Sequence, residues 1–356
     1  MGTDKSKKLS VFIPFICGQN DDMNSTMLAA HLHGPSDLRV AEIPRPGAPG
    51  AGEVRLRVTA TGVCGSDLHP YATGSIGSTN LDAPLVLGHE FGGVIEAIGA
   101  NVSNLRVGTR VAVDPAWTCG VCEDCSRGNP NLCRNQKFCG LAPHDGSLCE
   151  EILVPSRFCH PIPDSLSDAS AALLEPLGIA LHATDLARIR VGSSVAILGA
   201  GPIGFCLTQT AKLAGANPIY VSEPLDWRLK LVERFGAVPL PPKVEVDVVI
   251  EAAWAKESVQ TAMELARPGG TVVLVGIPYE DNVSFSHSVP RRKGLTILMS
   301  RRMKHTYPRA IRLVESGAVD LEAMITHRFP LERAPEAFAL NAKYEEEVVK
   351  IIVEGK

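Results

Sequence analysis

The stretch "SVAILGAGPIGFCLTQTAKLAG", residues 194–215, decides the fold. A short apolar run, Val195 to Leu198, ends in glycines. Ile203, Cys206, Leu207 and Ala211 then recur at helical spacing, and Gly215 marks the stop. Gly199, Gly201 and Gly204 stand in G-x-G-x-x-G spacing. Such a pattern alone is an ordinary glycine-rich turn. Between a strand and a helix it is the phosphate-binding turn of a dinucleotide fold. Gly199 permits the tight turn, Gly201 lets the backbone approach a pyrophosphate, and Gly204 lets the helix lie close on the sheet. The helix opens at Pro202 and Ile203, and the free N–H groups and partial positive charge of its N-terminus face the phosphates.

Working outward, "IYVS" (219–222) reads as the next strand and "DWRLKLVERFG" (226–236) as a helix. Strand "DVVIEAA" (247–253), helix "ESVQTAMELA" (257–266) and strand "GTVVLVGIP" (270–278) follow. This β-α-β-α-β series predicts an α/β unit, a doubly wound parallel sheet with helices on its faces. Glu223 ends the second strand, where a carboxylate can accept hydrogen bonds from both ribose hydroxyls and repel a 2′-phosphate. NAD is therefore expected over NADP. Arg228, on the following helix, is a further candidate cofactor contact. One segment departs from the pattern. The ten proline-rich residues "AVPLPPKVEV" (237–246) are too few for a strand and a crossover helix, so one β-α unit is expected to be shortened or missing.

Upstream of about residue 180, apolar stretches are short and broken by Gly and Pro, as in "EVRLRVTATGVCG" and "GTRVAVDP". These predict short strands of a β-rich domain. It carries "CGVCEDCSRGNPNLC", with Cys119, Cys122, Cys125 and Cys133 within fifteen residues. Four thiolates so spaced can close a tetrahedral shell around one zinc, with no position left for a substrate. An iron–sulfur cluster is the rival, although Arg134 rather than proline follows the last cysteine. A zinc ribbon for nucleic acid is disfavoured by Glu123 and Asp124. A second, dispersed set comprises Cys64, Ser66, Asp67 and His69 in "GVCGSDLH", His89 and Glu90 in "LGHEFGG", and Glu175 in "LLEPLG". Thiolate, imidazole and carboxylate make a mixed shell that can leave one position open, as a catalytic zinc requires. Singly, each of these residues is more often a core thiol or a satisfied polar group.

The 356 residues suggest two domains, and 45% hydrophobic with 21% charged residues is an ordinary globular composition. Thirty-five basic against thirty-nine acidic residues, net −4, argues against nucleic acid or an anionic membrane as partner. No uncharged apolar run is long enough to span a membrane. Ten cysteines are too few for a disulfide scaffold and suit metal binding in a reducing, cytoplasmic setting. Residues 1–26 end without a signal-peptide cleavage site. They are expected to be a poorly ordered extension, or sequence upstream of a start at Met27.

From Met27 onward, "GVCGSDLH", "LGHEFGGVIEAIG", "GTRVAVDP", the four-cysteine lobe, "EPLGIALHA", "GAGPIG" and "PGGTVVLVGIP" jointly resemble the zinc-dependent medium-chain alcohol dehydrogenase family. "EPLGIALHA" and "THRFPLERAPEAF" are most similar to its sorbitol (L-iditol) dehydrogenase branch. The resemblance implies a GroES-like catalytic domain over 27–178 and 303–356, with a structural-zinc lobe at 115–140. It also implies a Rossmann NAD-binding domain over 179–302. It implies two zinc ions per chain and NAD-dependent oxidation of a secondary alcohol, most plainly a polyol such as sorbitol or xylitol. A homo-tetramer or homo-dimer is implied as well. Cys64 and His89 match catalytic zinc ligands. Glu90 and Glu175 match two acidic positions that bind the metal directly or through water. Ser66 and His69 match a proton path. Arg302 matches a substrate-side arginine, and its neighbour, usually aromatic in that branch, is here Met303. Threonine or diol dehydrogenation on the same machinery, and a zinc-free reductase of the same fold, are the alternatives.

Overall fold

A computed structural model describes residues 25–253, 255–278 and 282–355. The expectation for residues 1–24 lies outside these. The first strand, Thr26–Gly34, begins one residue before the expected domain start.

The N-terminal domain is built on a seven-stranded sheet. Its order is Cys159–Pro161, Arg110–Val113, Glu90–Ile98, Glu53–Gly62, Lys350–Glu354 and Ile325–Pro330, with Glu151–Pro155 also pairing on Glu53–Gly62. In Glu53–Gly62, buried Val54, Leu56, Val58 and Ala60 alternate with half-exposed neighbours, the period of a strand with one face on the core. The two C-terminal strands complete this sheet, so residues far apart in sequence meet at its centre. Gly62 stands opposite both Glu90 and Ile352.

The second sheet is six-stranded and wholly parallel, in the order Val238–Pro239, Ile219–Ser222, Val195–Leu198, Val246–Glu251, Ala266–Leu274 and Thr296–Met299. All four residues of Val195–Leu198 are buried, as a strand covered on both faces must be. Strand order reverses between Val195–Leu198 and Val246–Glu251, and the crevice beyond their carboxyl ends is where this topology takes ligands. The short segment resolves into a two-residue strand, Val238–Pro239, followed directly by residues 240–245. The strand survives and the crossover helix is absent. Leu240 and Val244 pack instead on the sheet face beside Ala196 and Leu198, covering part of what a helix would have covered.

The helix Asp168–Ala187 is capped by Ser167, whose side chain accepts from the Ser170 N–H. It packs on the Glu90–Ile98 strand on one side and on the helix Pro202–Leu213 on the other. The domain boundary placed at residue 178 therefore falls inside a helix shared by both domains.

Candidate active site and metal centres

A cavity of about 820 Å³ lies where the two sheets meet. Cys64, His89, Glu175, the glycine turn, Glu223 and Arg302 all face it. One cleft thus collects both the dispersed constellation and the dinucleotide motif.

Cys64 sits at the N-cap of the helix Gly65–Thr73. Asp67, three residues on, does two things there. Its Oδ2 accepts from the Cys64 N–H at 3.3 Å, and its Oδ1 lies 3.1 Å from His89 Nδ1. The second contact turns the other ring nitrogen, Nε2, towards Cys64 and Ser66. Ser66 Oγ is 3.4 Å from His89 Nε2 and 3.3 Å from Cys64 Sγ. Burial opposes protonation of His89, but the charges of Asp67 and Cys64 outweigh it and hold the imidazole well above its usual value. His69 lies on the same helix and is buried, bonded to the backbone of Ile277 rather than facing the cavity.

Cys64, His89 and Glu90 each offer a donor atom, all within 4.8 Å of one another. A thiolate, an imidazole and a carboxylate converging in a buried pocket are a chemically fitting zinc shell. Glu175 does not belong to that group. It lies nearby in the cavity wall, its carboxyl pushed up to about 7 by burial, with His89 lowering it and Glu90 raising it. Glu90 has a partner the sequence did not reveal. Lys350 Nζ, 1% exposed, is 2.8 and 2.6 Å from its two oxygens and also donates to the Val63 carbonyl. The pair fits only because residue 62 is glycine: a Cβ there would stand 2.2 Å from Glu90 Oε2.

Arg302 lies over Phe138, its guanidinium carbon 3.3 Å from the ring centroid. Burial lowers it to about 10, and Nε has no hydrogen-bond partner among the described residues. Asp114, near Arg302 and Glu175, is pushed up to about 6 by burial. Neither Asp114 nor Phe138 stood out in the sequence, where each reads as strand-end or loop filler. Met303 is buried against the helix at Gly178 and does not line the cavity.

Cys119, Cys122, Cys125 and Cys133 form the second group of donors, again within 4.8 Å of one another and not joined by disulfides. Cys119 accepts from the Cys122 N–H at 3.3 Å and Cys133 from the Cys119 N–H at 3.4 Å. Backbone N–H groups of Val121 and Cys122 lower the Cys119 thiol to about 6. Four sulfurs fit a closed zinc shell, and none of them faces the cavity.

At the opposite end, Gly199 has φ +97° and the helix Pro202–Leu213 starts at Gly201. A Cβ on Gly204 would come within 1.9 Å of the Gly199 carbonyl, so only glycine allows this approach. Glu223 Oε2 accepts from the Ala200 N–H at 2.7 Å and Oε1 from the Leu225 N–H at 3.1 Å. The carboxylate is thus fixed beside the glycine turn with lone pairs to spare. Arg228 faces the cavity too, but its Nε and Nη2 donate to the Val348 carbonyl at 3.3 and 3.1 Å and it lies 5.0 Å over the Tyr344 ring. It ties the nucleotide domain to the C-terminal segment of the other.

Residues 50–164 match the alcohol dehydrogenase GroES-like domain, and residues 202–316 match the zinc-binding dehydrogenase family. The chain is 34% identical to sorbitol dehydrogenase of Bacillus subtilis (strain 168), over 92% of this chain and 97% of that protein. It is 36% identical to sorbitol dehydrogenase of Homo sapiens, over 87% and 91%. The 2R,3R-butanediol dehydrogenase of Bacillus subtilis superposes with a TM-score of 0.83 at 29% identity, over 93% of this chain and 100% of that one. No helix among the described residues is long and apolar enough to cross a membrane. Two family matches, a full-length likeness and a cleft that joins metal donors to a dinucleotide turn agree: the chain is a member of the zinc-dependent medium-chain alcohol dehydrogenase family, an oxidoreductase of its sorbitol dehydrogenase-like branch.

Proposed function

We propose that the protein oxidises a secondary alcohol, a polyol such as sorbitol or xylitol, to the ketone with NAD as acceptor. The observation that carries this is the single cavity in which Cys64, His89 and Glu90 converge while Arg302 keeps an unpaired Nε. Zinc held by these donors would act as a Lewis acid, lowering the hydroxyl pKa and favouring the alkoxide. NAD on the glycine turn would take up the hydride.

The chain's own residues supply orientation and a proton path. Ser66 Oγ is the hydroxyl beside both Cys64 and His89, so it receives the substrate proton; His69 lies behind the cavity wall, so the proton would reach it through the nicotinamide ribose of the bound cofactor. Arg302 donates to a hydroxyl of the polyol remote from the reacting carbon, which fixes the substrate's direction in the cleft. Glu175 closes the carboxylate side of the site, either through water or by joining the metal shell. Glu223 accepts from the adenosine ribose hydroxyls and repels a 2′-phosphate, which favours NAD. The four-cysteine group binds a second zinc that braces its lobe.

A cytoplasmic homo-tetramer or homo-dimer completes the reading. The outer strand of the parallel sheet, Thr296–Met299, has no further strand beside it among the described residues, and Met299 there is 73% exposed, as a subunit contact would leave it in a single chain. Light scattering tests the assembly. NAD reduction across sorbitol, xylitol, galactitol, butanediol and threonine, with and without a zinc chelator, tests the activity. Chelator-sensitive turnover of the polyols supports the reading. Turnover confined to threonine or butanediol moves it to those substrates, and no turnover of any alcohol overturns it.

A further inference from the structure

The four-cysteine lobe touches one other part of the molecule in a way that bracing alone does not explain. The 3-10 turn Pro130–Leu132 lies inside the lobe, immediately before Cys133. Asn131 in that turn is 8% exposed, and its Nδ2 donates to the carbonyl of Arg301, 170 residues away, at 3.0 Å. Beside it, Asn129 Oδ1 accepts from Lys304 Nζ at 2.7 Å. Phe138, in the strand that closes the lobe by pairing with Ala116–Trp117, lies under the Arg302 guanidinium. Three contacts from the lobe therefore converge on residues 301, 302 and 304.

The segment they grip needs holding. Arg302 has φ +54° and His305 φ +51°, the left-handed region that a side chain with a Cβ disfavours. Such conformations persist where surrounding structure over-determines them. Asn131 fixes the peptide that enters Arg302, Asn129 fixes the residue two beyond it, and Phe138 fixes its side chain.

We infer that the lobe closed by Cys119, Cys122, Cys125 and Cys133 positions Arg302 for substrate, with Asn131 as the positioning residue. The lobe is then a determinant of polyol specificity as well as a brace. This rests on the reading of Arg302 as a substrate contact.

The test is a double-mutant cycle in the full-length, zinc-loaded enzyme, using whichever of sorbitol, xylitol and galactitol is turned over best, and 2-butanol, which has no remote hydroxyl. Losing one neutral hydrogen bond at the tether, Asn131→Ala should raise KM and the calorimetric Kd for the polyol about 3- to 10-fold. It should leave kcat and KM for 2-butanol within about twofold. In an Arg302→Ala background the same substitution should change the polyol KM by less than about twofold. Lys304→Met, which cuts the second tether from the opposite side, should act in the same direction and serves if Asn131→Ala does not fold. An equal loss on both alcohols, or a full Asn131→Ala effect without Arg302, overturns the inference. So does an unchanged polyol KM in Asn131→Ala and Lys304→Met while Arg302→Ala raises it. If Arg302→Ala itself leaves the polyol KM unchanged, the reading of Arg302 falls and the inference with it.

Discussion

Asp67 Oδ1 lies 3.1 Å from Nδ1 of His89, and both side chains are buried. A carboxylate on the far nitrogen fixes the tautomer in which Nε2 is free to bind a metal, and raises its basicity as a ligand. Asp67→Asn keeps the shape and removes the charge. It should weaken zinc at the Cys64–His89–Glu90 site about 10- to 100-fold, measured by competition with a chromophoric chelator. The four-cysteine site should keep its affinity in the same titration.

Lys350 and Glu90 form a buried ion pair on either side of Gly62. Removing one partner of such a pair strands the other charge. Lys350→Met should therefore cost the metal-free protein about 3–5 kcal/mol in urea unfolding. With zinc bound at the Cys64–His89–Glu90 site, the cation offsets the stranded carboxylate charge, so the loss should be smaller. An equal loss with and without zinc would show that Glu90 does not sense the site.

Glu223 is held by the Ala200 and Leu225 N–H groups at the mouth of the glycine turn. Glu223→Gln keeps one acceptor and removes the charge. A charge-assisted hydrogen bond is worth about 1.5–3 kcal/mol, so NADH affinity by fluorescence titration should fall about 10- to 100-fold. NADPH affinity should rise as the repulsion of its 2′-phosphate goes.

His160 stacks on Tyr307, ring centroids 4.5 Å apart, and burial lowers its pKa from 6.5 to about 4. The folded state keeps this imidazole neutral, whereas the unfolded chain protonates it below about pH 6.5. Between these values the unfolded state binds more protons, so stability is full above pH 6.5 and is lost as pH falls towards 4. The shift corresponds to at most about 3 kcal/mol. His160→Phe keeps the stack and has no proton to gain. Its Tm should decline less steeply from pH 6.5 to 4 than that of the unsubstituted protein.

The sequence was legible where chemistry and spacing are local. The glycine turn and Glu223 could be read from one strand-turn-helix pattern, and the four cysteines from one loop. The short 237–246 segment was legible as a loss, although not that the strand would survive and the helix would go, because two residues of strand carry no periodicity. What sequence could not give was the meeting of distant strands. Lys350 reads as a charged residue near the C-terminus until the register sets it beside Glu90. Asp114, Phe138 and Asn131 are likewise ordinary until the chain folds them around Arg302. Asp67 stood in view, three residues after Cys64. That is capping-box spacing, and it could have indicated a helix start with a carboxylate turned back on the cysteine.

The central claim is a division of labour: Cys64, His89 and Glu90 hold the zinc that does the chemistry, and the four cysteines hold one that does none. Zinc content, NAD reduction and Tm, measured together on Cys64→Ser and Cys122→Ser, test it most directly. Cys64→Ser should lose one zinc per chain and all polyol-dependent NAD reduction, while keeping its Tm and its NADH affinity. Cys122→Ser should lose the other zinc and several degrees of Tm, with residual NAD reduction in the molecules that stay folded. Retained turnover in Cys64→Ser, or a Cys122→Ser protein of unchanged Tm that has lost only its chemistry, would contradict the account.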